Sequence, residues 1–295
     1  MYPDEFDYVE AESVEHALEL QEEHAMAETE LLAGGHSLLP TMKTGLASPD
    51  VVIDIGQIES MRGIESDGDT ISIGANTTYA EIADSGVVAD GAPALAEAAA
   101  AIGDVQVRNM GTIGGNLAHA DPASDLPGTA LAEDATMVLQ GADGEREVPA
   151  DDFFFGMYMT DVGEDEILTR VEVPADSDTG AYAKKPSPSS GYAMIGVAVT
   201  LGMDGDTVAS ASVGANGVMD HGVRLDAVEE ALEGERLDAD AISAAADHAT
   251  DGLDEAMMMD DIQASAEFRA HLLGVYTERA LESAHDAIAA PAAAD

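Results

Sequence analysis

The sequence predicts an α+β protein in two domains, and three observations carry that reading. Strand-like apolar runs and helical patterns follow one another irregularly, without the steady strand–helix repeat of a doubly wound sheet. Two longer strand-like runs late in the chain are joined by a tight Asp204-Gly205 turn, and only helical patterns come after them. A length of 295 residues suits one large or two moderate domains with a substantial core.

Each element has a local reason. Ser13 is a helix cap, and Val14, Ala17 and Leu18 then share a face. Residues 31–33 read as a short strand feeding a glycine turn. Residues 51–55 form a continuous apolar run and predict a buried strand, whereas residues 70–73 alternate and predict a half-buried one. Thr77-Thr78 opens a helical pattern that runs to Ile82, and the alanine-rich residues 94–102 are helical by propensity. Residues 103–127 read as a long irregular segment, and loops of that length inside a compact domain are usually functional. Strands are expected over 135–139 and 167–173. The polar, proline- and glycine-bearing stretch 174–180 predicts a boundary, dividing the chain into 1–175 and 178–290. Antiparallel strands at 194–201 and 207–213 follow, then helices from 226 to 289. Residues 290–295 are expected to fray.

Composition excludes several classes of function. Eleven Lys and Arg stand against 59 Asp and Glu, a formal charge of −48. No basic stripe exists to meet phosphates, so nucleic-acid binding is excluded. The carboxylates are spread along the chain and not gathered in a tail. That diffuse excess, with few aromatics, reads as adaptation to high salt, where the Debye length shrinks to about 3 Å; a cation-binding or basic-partner surface is the rival reading. There is no cysteine, so disulfides, thiolate metal sites and iron–sulfur ligation are excluded in this chain. No apolar run of 18 residues predicts a membrane span, and the acidic N-terminal region lacks a signal-peptide core. A cytoplasmic chain is expected.

Two glycine-centred segments stand out. One is Ala33-Gly34-Gly35-His36-Ser37-Leu38-Leu39-Pro40, and the other runs from Gly111-Thr112-Ile113-Gly114-Gly115-Asn116 to Asp125-Leu126-Pro127. A glycine pair admits positive φ and close backbone approach, and exposed N–H groups in such a turn can form an anion-binding concavity. Each alone is far more often a tight turn than a ligand site, and neither matches the Gly-x-Gly-x-x-Gly or Gly-Lys-Ser/Thr phosphate loops.

Taken with their flanks, the two segments resemble the flavin-binding signatures of the FAD subunit of molybdenum hydroxylases. That family includes the medium subunit of aerobic carbon monoxide dehydrogenase and the FAD domain of xanthine dehydrogenase. The resemblance extends over nearly the whole chain, from Tyr2-Pro3 through Ile102-Gly103-Asp104-Val105-Gln106-Val107-Arg108-Asn109 and Tyr182-Ala183-Lys184 to Ser265-Ala266-Glu267-Phe268-Arg269. His36 is closest to the carbon monoxide dehydrogenase type. The resemblance implies a two-lobed FAD-binding domain of the PCMH type, followed by a C-terminal domain of antiparallel sheet plus helices. It also implies that FAD is the cofactor. Ala33, Gly34, Gly35, His36 and Ser37 are then expected on one side of the pyrophosphate, and Thr112, Ile113, Gly114, Gly115 and Asn116 on the other. Asp121 would accept hydrogen bonds from ribose or adenine, or else close an Asx-turn before Pro122. Lys184 lies where the family has a lysine near the flavin, or is half of a surface pair with Lys185. Tyr192 aligns with an aromatic that packs on the isoalloxazine, or is a core tyrosine at a strand start. Arg108 reads as structural. One departure is Lys43-Thr44-Gly45, where family members often carry an arginine in place of the glycine.

His36 and His119 have no second ligand at metal spacing. Met257-Met258-Met259 cannot face one ion from a helix. No metal site and no catalytic acid or base is therefore assigned. The resemblance implies an oxidoreductase subunit that takes electrons from the 2Fe–2S clusters of a partner and passes them to an external acceptor. The iron–sulfur subunit and the large molybdopterin subunit would be separate chains, assembled as a dimer of heterotrimers. Alternatives are a stand-alone FAD oxidoreductase, a relative with covalently attached flavin, and a flavin-binding assembly module without turnover.

Overall fold

The computed structural model describes residues 2–175 and 178–289; two residues of the expected 174–180 boundary, 176 and 177, and the 290–295 tail lie outside them. Three strands open the chain as a small parallel sheet: β1 (Asp7–Glu10), β2 (Thr29–Leu32) and β3 (Val51–Asp54), in the order β1-β3-β2. The central β3 is buried on both faces, as its unbroken Val-Val-Ile run requires. Helix α1 (Val14–Glu23) makes the first crossover. Its cap is Ser13, whose side chain accepts the His16 N–H at 3.1 Å, and it buries Val14, Ala17 and Leu20. Helix α2 (Leu38–Thr44) makes the second and ends at Gly45, whose φ of +75° takes the left-handed cap position. Glycine at the place of the family's arginine thus has a structural use.

A five-stranded antiparallel sheet follows, made of β4 (Ile64–Ser66), β5 (Thr70–Gly74), β6 (Thr136–Gly141), β7 (Gly144–Pro149) and β10 (Glu166–Pro174), in the order β4-β5-β10-β6-β7. A short hairpin, β8 (Phe154–Gly156) and β9 (Met159–Thr160), stands before β10. Six helices are inserted between β5 and β6: α3 (Tyr79–Ala83), α4 (Gly86–Gly91), α5 (Pro93–Ala101), α6 (Val105–Arg108), α7 (Ile113–His119) and α8 (Leu126–Ala132). Residues 103–127 are therefore not irregular. Asp104 caps α6 and Thr112 caps α7 through side-chain acceptors, and the Gly114-Gly115 pair of the second segment lies inside α7. Glycine is a poor helix former by propensity, and tertiary packing overrides it here.

The last sheet is antiparallel, β11 (Thr179–Pro186), β12 (Ala193–Asp204), β13 (Thr207–Asn216) and β14 (Val223–Arg224), with Gly205 at φ +65° in the expected turn. Helices α9 (Asp226–Leu232), α10 (Ala239–Ala246) and α11 (Ala266–Ala289) complete it. One hydrophobic core gathers residues from Ala11 to Val173 and a second gathers residues from Ala181 to Ala284. The fold is thus a first domain of one parallel and one antiparallel sheet with inserted helices, plus a C-terminal antiparallel sheet domain, the α+β class expected.

Cations are scarce, and several bridge elements. Arg224 reaches Asp134 at 2.5 Å, Asp151 at 2.8 Å and Glu229 at 3.1 Å, tying β14 to the loop after α8, to the turn after β7 and to α9. Arg146 joins Asp161 and Glu166.

One buried carboxyl makes the fold sensitive to pH. Ala92 cannot cap α5 with its side chain; instead Glu133, buried, accepts the Leu95 N–H at 3.0 Å. Burial pushes the Glu133 carboxyl up to about 7. Between its ordinary value and 7 the folded state holds a proton that the unfolded state has lost. Its contribution to stability therefore falls as pH rises through that window. Glu133→Gln, permanently neutral, is expected to gain on the wild type by about 2.5 kcal/mol between pH 5 and pH 8. Urea unfolding at both pH values in molar salt measures this, and a variant-minus-wild-type difference that stays flat refutes it.

Candidate functional site

The two glycine segments meet face to face. Strand β2 delivers Ala33 to Ser37 at its C-terminal end, directly into α2. An isolated bridge between Thr78 and Thr112 fixes the other segment to the start of α3. The contact between them depends on Gly34. A Cβ there would drive into the Met110 carbonyl oxygen and come within 2.9 Å of the Gly111 Cα. Gly115 passes under Ala33, where an added Cβ would stand 3.8 Å from the Ala33 methyl.

Between them lies a cleft of about 500 Å³, within the usual size of a cofactor site. Ala33, Gly34, Gly35, His36 and Ser37 line one wall, and Thr112, Gly114, Gly115 and Asn116 the other. The five backbone N–H groups of residues 33–37 donate to no partner among the described residues. A run of free N–H groups, with Gly35 at φ +72°, is a concave anion receptor. No Lys or Arg is among the residues lining the cleft. An anion there is held by dipoles and not by countercharge.

The second wall works differently. The Ile113 N–H donates to Thr77 O at 3.1 Å and that of Gly114 to Ala75 O at 2.9 Å, while Gly115 N–H is capped by Thr112 Oγ1 at 3.2 Å. Ile113 is a core residue, buried, and does not line the cleft. Gly114 has no positive φ; its hydrogen is needed because a Cβ would strike Ala75. The Asn116 amide is engaged too, accepting from Ser124 Oγ at 2.9 Å and donating to the Tyr79 hydroxyl at 3.0 Å.

Three expected residues are not among those lining the cleft. Asp121 closes an Asx-turn, accepting the Ala123 N–H at 2.9 Å, and is not among the residues lining the cleft. Lys184 is neither a surface lysine nor a lining residue of the cleft. Its side chain is 7% exposed and its ammonium meets Asp125 at 2.8 Å and Ala101 O at 3.1 Å. Tyr192 is 42% exposed, which removes it from the core. Burial of its hydroxyl pushes the phenol up, with smaller contributions from Asp121, Tyr158 and Asp125. Arg108 is structural, donating to Ile102 O at 2.9 Å.

Aromatic groups gather beside His119, at the edge of the cleft. His119 lines it and stacks on Tyr158 with centroids 4.9 Å apart. Burial holds the His119 imidazole below its usual range, so it is neutral at neutral pH. Tyr158 and Ala120 both adopt positive φ, +59° and +48°, and the Tyr158 N–H donates to Ala120 O at 3.3 Å. Ala120 is the left-handed C-cap of α7, and Tyr158 keeps its uncommon conformation beside it. Sequence reasoning missed Tyr79, Asn76 and His119 as lining residues. The Gly111–Tyr79 packing that places Tyr79 is a contact across 32 positions with no local signal.

Comparison with known proteins agrees with the geometry. Residues 4–176 match the FAD binding domain in molybdopterin dehydrogenase, and residues 180–284 match the carbon monoxide dehydrogenase flavoprotein C-terminal domain. The chain is 39% identical to the carbon monoxide dehydrogenase medium chain of Hydrogenophaga pseudoflava, over 96% of this chain and 98% of that one. It is also 39% identical to the glyceraldehyde dehydrogenase medium chain of Sulfolobus acidocaldarius, over 82% of this chain and 86% of that one. The solved carbon monoxide dehydrogenase from Hydrogenophaga pseudoflava lacking the Mo-pyranopterin moiety superposes with a TM-score of 0.90, covering 97% of this chain and 99% of that one at 39% identity.

Proposed function

The chain belongs to the FAD-binding medium subunits of the molybdopterin dehydrogenases, and from that premise we propose that it relays electrons from the iron–sulfur clusters of a partner subunit to an external acceptor. The observation that carries the proposal is the run of five free N–H groups at residues 33–37, facing the second glycine segment across the cleft. Those donors fit a diphosphate, and the cleft's volume fits a dinucleotide lying along it. When bound, FAD supplies a redox centre that exchanges electrons one or two at a time. The chain's own residues bind and orient it. Gly34 to Ser37 would hold the diphosphate, Gly34 and Gly115 keep the two walls at contact distance, and the stacked pair His119 and Tyr158, with Tyr192, would offer aromatic faces to a flavin ring. No side chain need move a proton for substrate oxidation.

The domain division we propose is 1–175 for the flavin and 178–290 for the supporting sheet. Asp125 and Asn216 fasten the two: Asn216 Nδ2 donates to Asp125 O at 2.9 Å and its Oδ1 accepts Gly128 N–H at 2.8 Å. The test of the reading is uptake of FAD by flavin-free protein in molar salt, about one per chain. Protein that takes up no FAD at any salt concentration overturns it.

The partners proposed are a 2Fe–2S subunit and a large molybdopterin subunit, in a dimer of heterotrimers. Residues 153–160, Phe-Phe-Phe-Gly-Met-Tyr-Met-Thr, support a docking surface beside the cleft. They carry no charge in a chain of net −48, and Phe155, Met157, Tyr158 and Met159 are exposed. An apolar patch rimmed by polar surface marks an interaction site. A pull-down in molar salt from the native cell should recover a cluster-bearing subunit with this chain. Recovery as a free monomer under every salt condition favours a stand-alone flavoenzyme. The substrate is not set by this chain, since relatives of similar identity are named for carbon monoxide and for glyceraldehyde.

Salt adaptation and a cytoplasmic location complete the proposal. Among the described residues no helix is long and apolar enough to cross a membrane. With a charge of −48, self-repulsion grows as the Debye length lengthens from about 3 Å at 1 M to about 30 Å at 0.01 M. The melting temperature is expected to fall steeply across that range. A value that does not change refutes the salt reading and leaves the flavin reading intact.

A further inference from the structure

Tyr79 sits where the two glycine segments touch, and its own hydroxyl proton has no acceptor among the described residues. Its ring is pinned against Gly111: a Cβ on Gly111 would run into the ring edge, 3.0 Å from Cζ. Its N–H donates to Gly111 O at 3.1 Å, and the neighbouring Thr78 bridges Thr112. Gly111 in turn lies against Gly34. Backbone and ring therefore hold this phenol at the junction of the two walls, and Tyr79 and Asn116 both line the cleft.

The hydrogen bonds around it run in one direction, from Ser124 through Asn116 to the phenol oxygen. Ser124 Oγ donates to Asn116 Oδ1 at 2.9 Å, and Asn116 Nδ2 donates to Tyr79 Oη at 3.0 Å. A phenol has one proton to give. With Asn116 donating to the oxygen, that proton points away from Asn116. We propose that Tyr79 is a ligand-binding residue that donates this proton to an anionic oxygen of the diphosphate, and that Ser124 and Asn116 are positioning residues acting through it. The inference rests on the FAD reading and extends it to a segment with no glycine signature. Burial pushes the Tyr79 phenol well above its ordinary range, which keeps the proton in place. With no Lys or Arg lining the cleft, a neutral donor aimed at the anion adds to the five N–H groups of residues 33–37.

Calorimetric titration of flavin-free protein with FAD and, separately, with ADP in molar salt tests this, since the two ligands share the diphosphate and differ in the flavin. Tyr79→Phe keeps the ring against Gly111 and removes only the hydroxyl. It is expected to weaken FAD and ADP alike, by about tenfold to a hundredfold, as loss of a hydrogen bond to a charged group does. Ser124→Ala is expected to weaken both by a smaller factor, and to have no further effect in the Tyr79→Phe background. Undiminished affinity in Tyr79→Phe overturns the inference, as does a loss confined to FAD. An equal effect of Ser124→Ala in both backgrounds overturns the relay. A wild-type chain that binds neither ligand overturns the FAD reading and this inference with it, whereas binding of both with an unaffected Phe variant overturns this inference alone.

Discussion

Gly34→Val is expected to yield folded protein that purifies without FAD. The reason lies in the contact between walls and not in backbone torsion. Gly34 has ordinary φ, but its Cα faces the Met110 carbonyl and the Gly111 Cα. A branched side chain must push that loop away, and overpacking of this kind costs about 1–3 kcal/mol. The loop is one wall of the cleft, so the displacement falls on the binding geometry itself. Gly114→Val is expected to act likewise, because its Cβ would strike Ala75 and come within 2.9 Å of the Ala75 Cα. Gly115→Ala meets only the Thr112 hydroxyl at 2.9 Å and the distant Ala33 methyl, and should keep most of its flavin. His36→Ala should weaken binding by about 0.5–1.5 kcal/mol, the worth of one hydrogen bond. Flavin-to-protein ratios of the purified variants, with circular dichroism to show folding, measure the ranking. Equal flavin content in Gly34→Val and His36→Ala would falsify it.

The same glycines show what the sequence could and could not reveal. Patterns that are local in origin were legible. The Ser13 cap, the buried run of β3, the alternation of β5 and the Asp204-Gly205 turn each follow from a few neighbouring residues. The glycine pairs pointed to the cleft, but only Gly35 has the positive φ that a glycine pair advertises. The need for Gly34, Gly111 and Gly114 comes from residues far along the chain, which no local pattern encodes. Tyr79 and Lys184 were illegible for the same reason. Lys184 beside Lys185 reads as surface charge, because the strand alternation that turns one inward and its partner 59 positions away appear only in the fold.

Lys184→Met is the substitution expected to cost most in stability, about 3–5 kcal/mol, because it strands a carboxylate in the interior. Asp125 is 4% exposed at its side chain and Lys184 7%. The Tyr182 hydroxyl donates to Asp125 Oδ1 at 2.6 Å, so three groups from two domains share one buried site. Burial raises the Asp125 carboxyl above its usual range, and Lys184 and Tyr182 oppose that rise. Without the ammonium, the carboxylate must either stay charged in a dry site or take up a proton. Either response weakens the junction, since Asp125 also receives the Asn216 amide through its backbone oxygen and adjoins Ser124 of the Tyr79 chain. Urea unfolding in molar salt measures the cost. The double variant Lys184→Met with Asp125→Asn leaves no lone charge, and should recover most of the loss. The three readings of this lysine separate cleanly. A surface lysine would cost no more than about 1 kcal/mol. A lysine that contacts flavin would leave the flavin-free protein as stable as the wild type and lower only its FAD affinity. A buried interdomain pair destabilises the flavin-free protein itself, and only that outcome is rescued by removing the second charge.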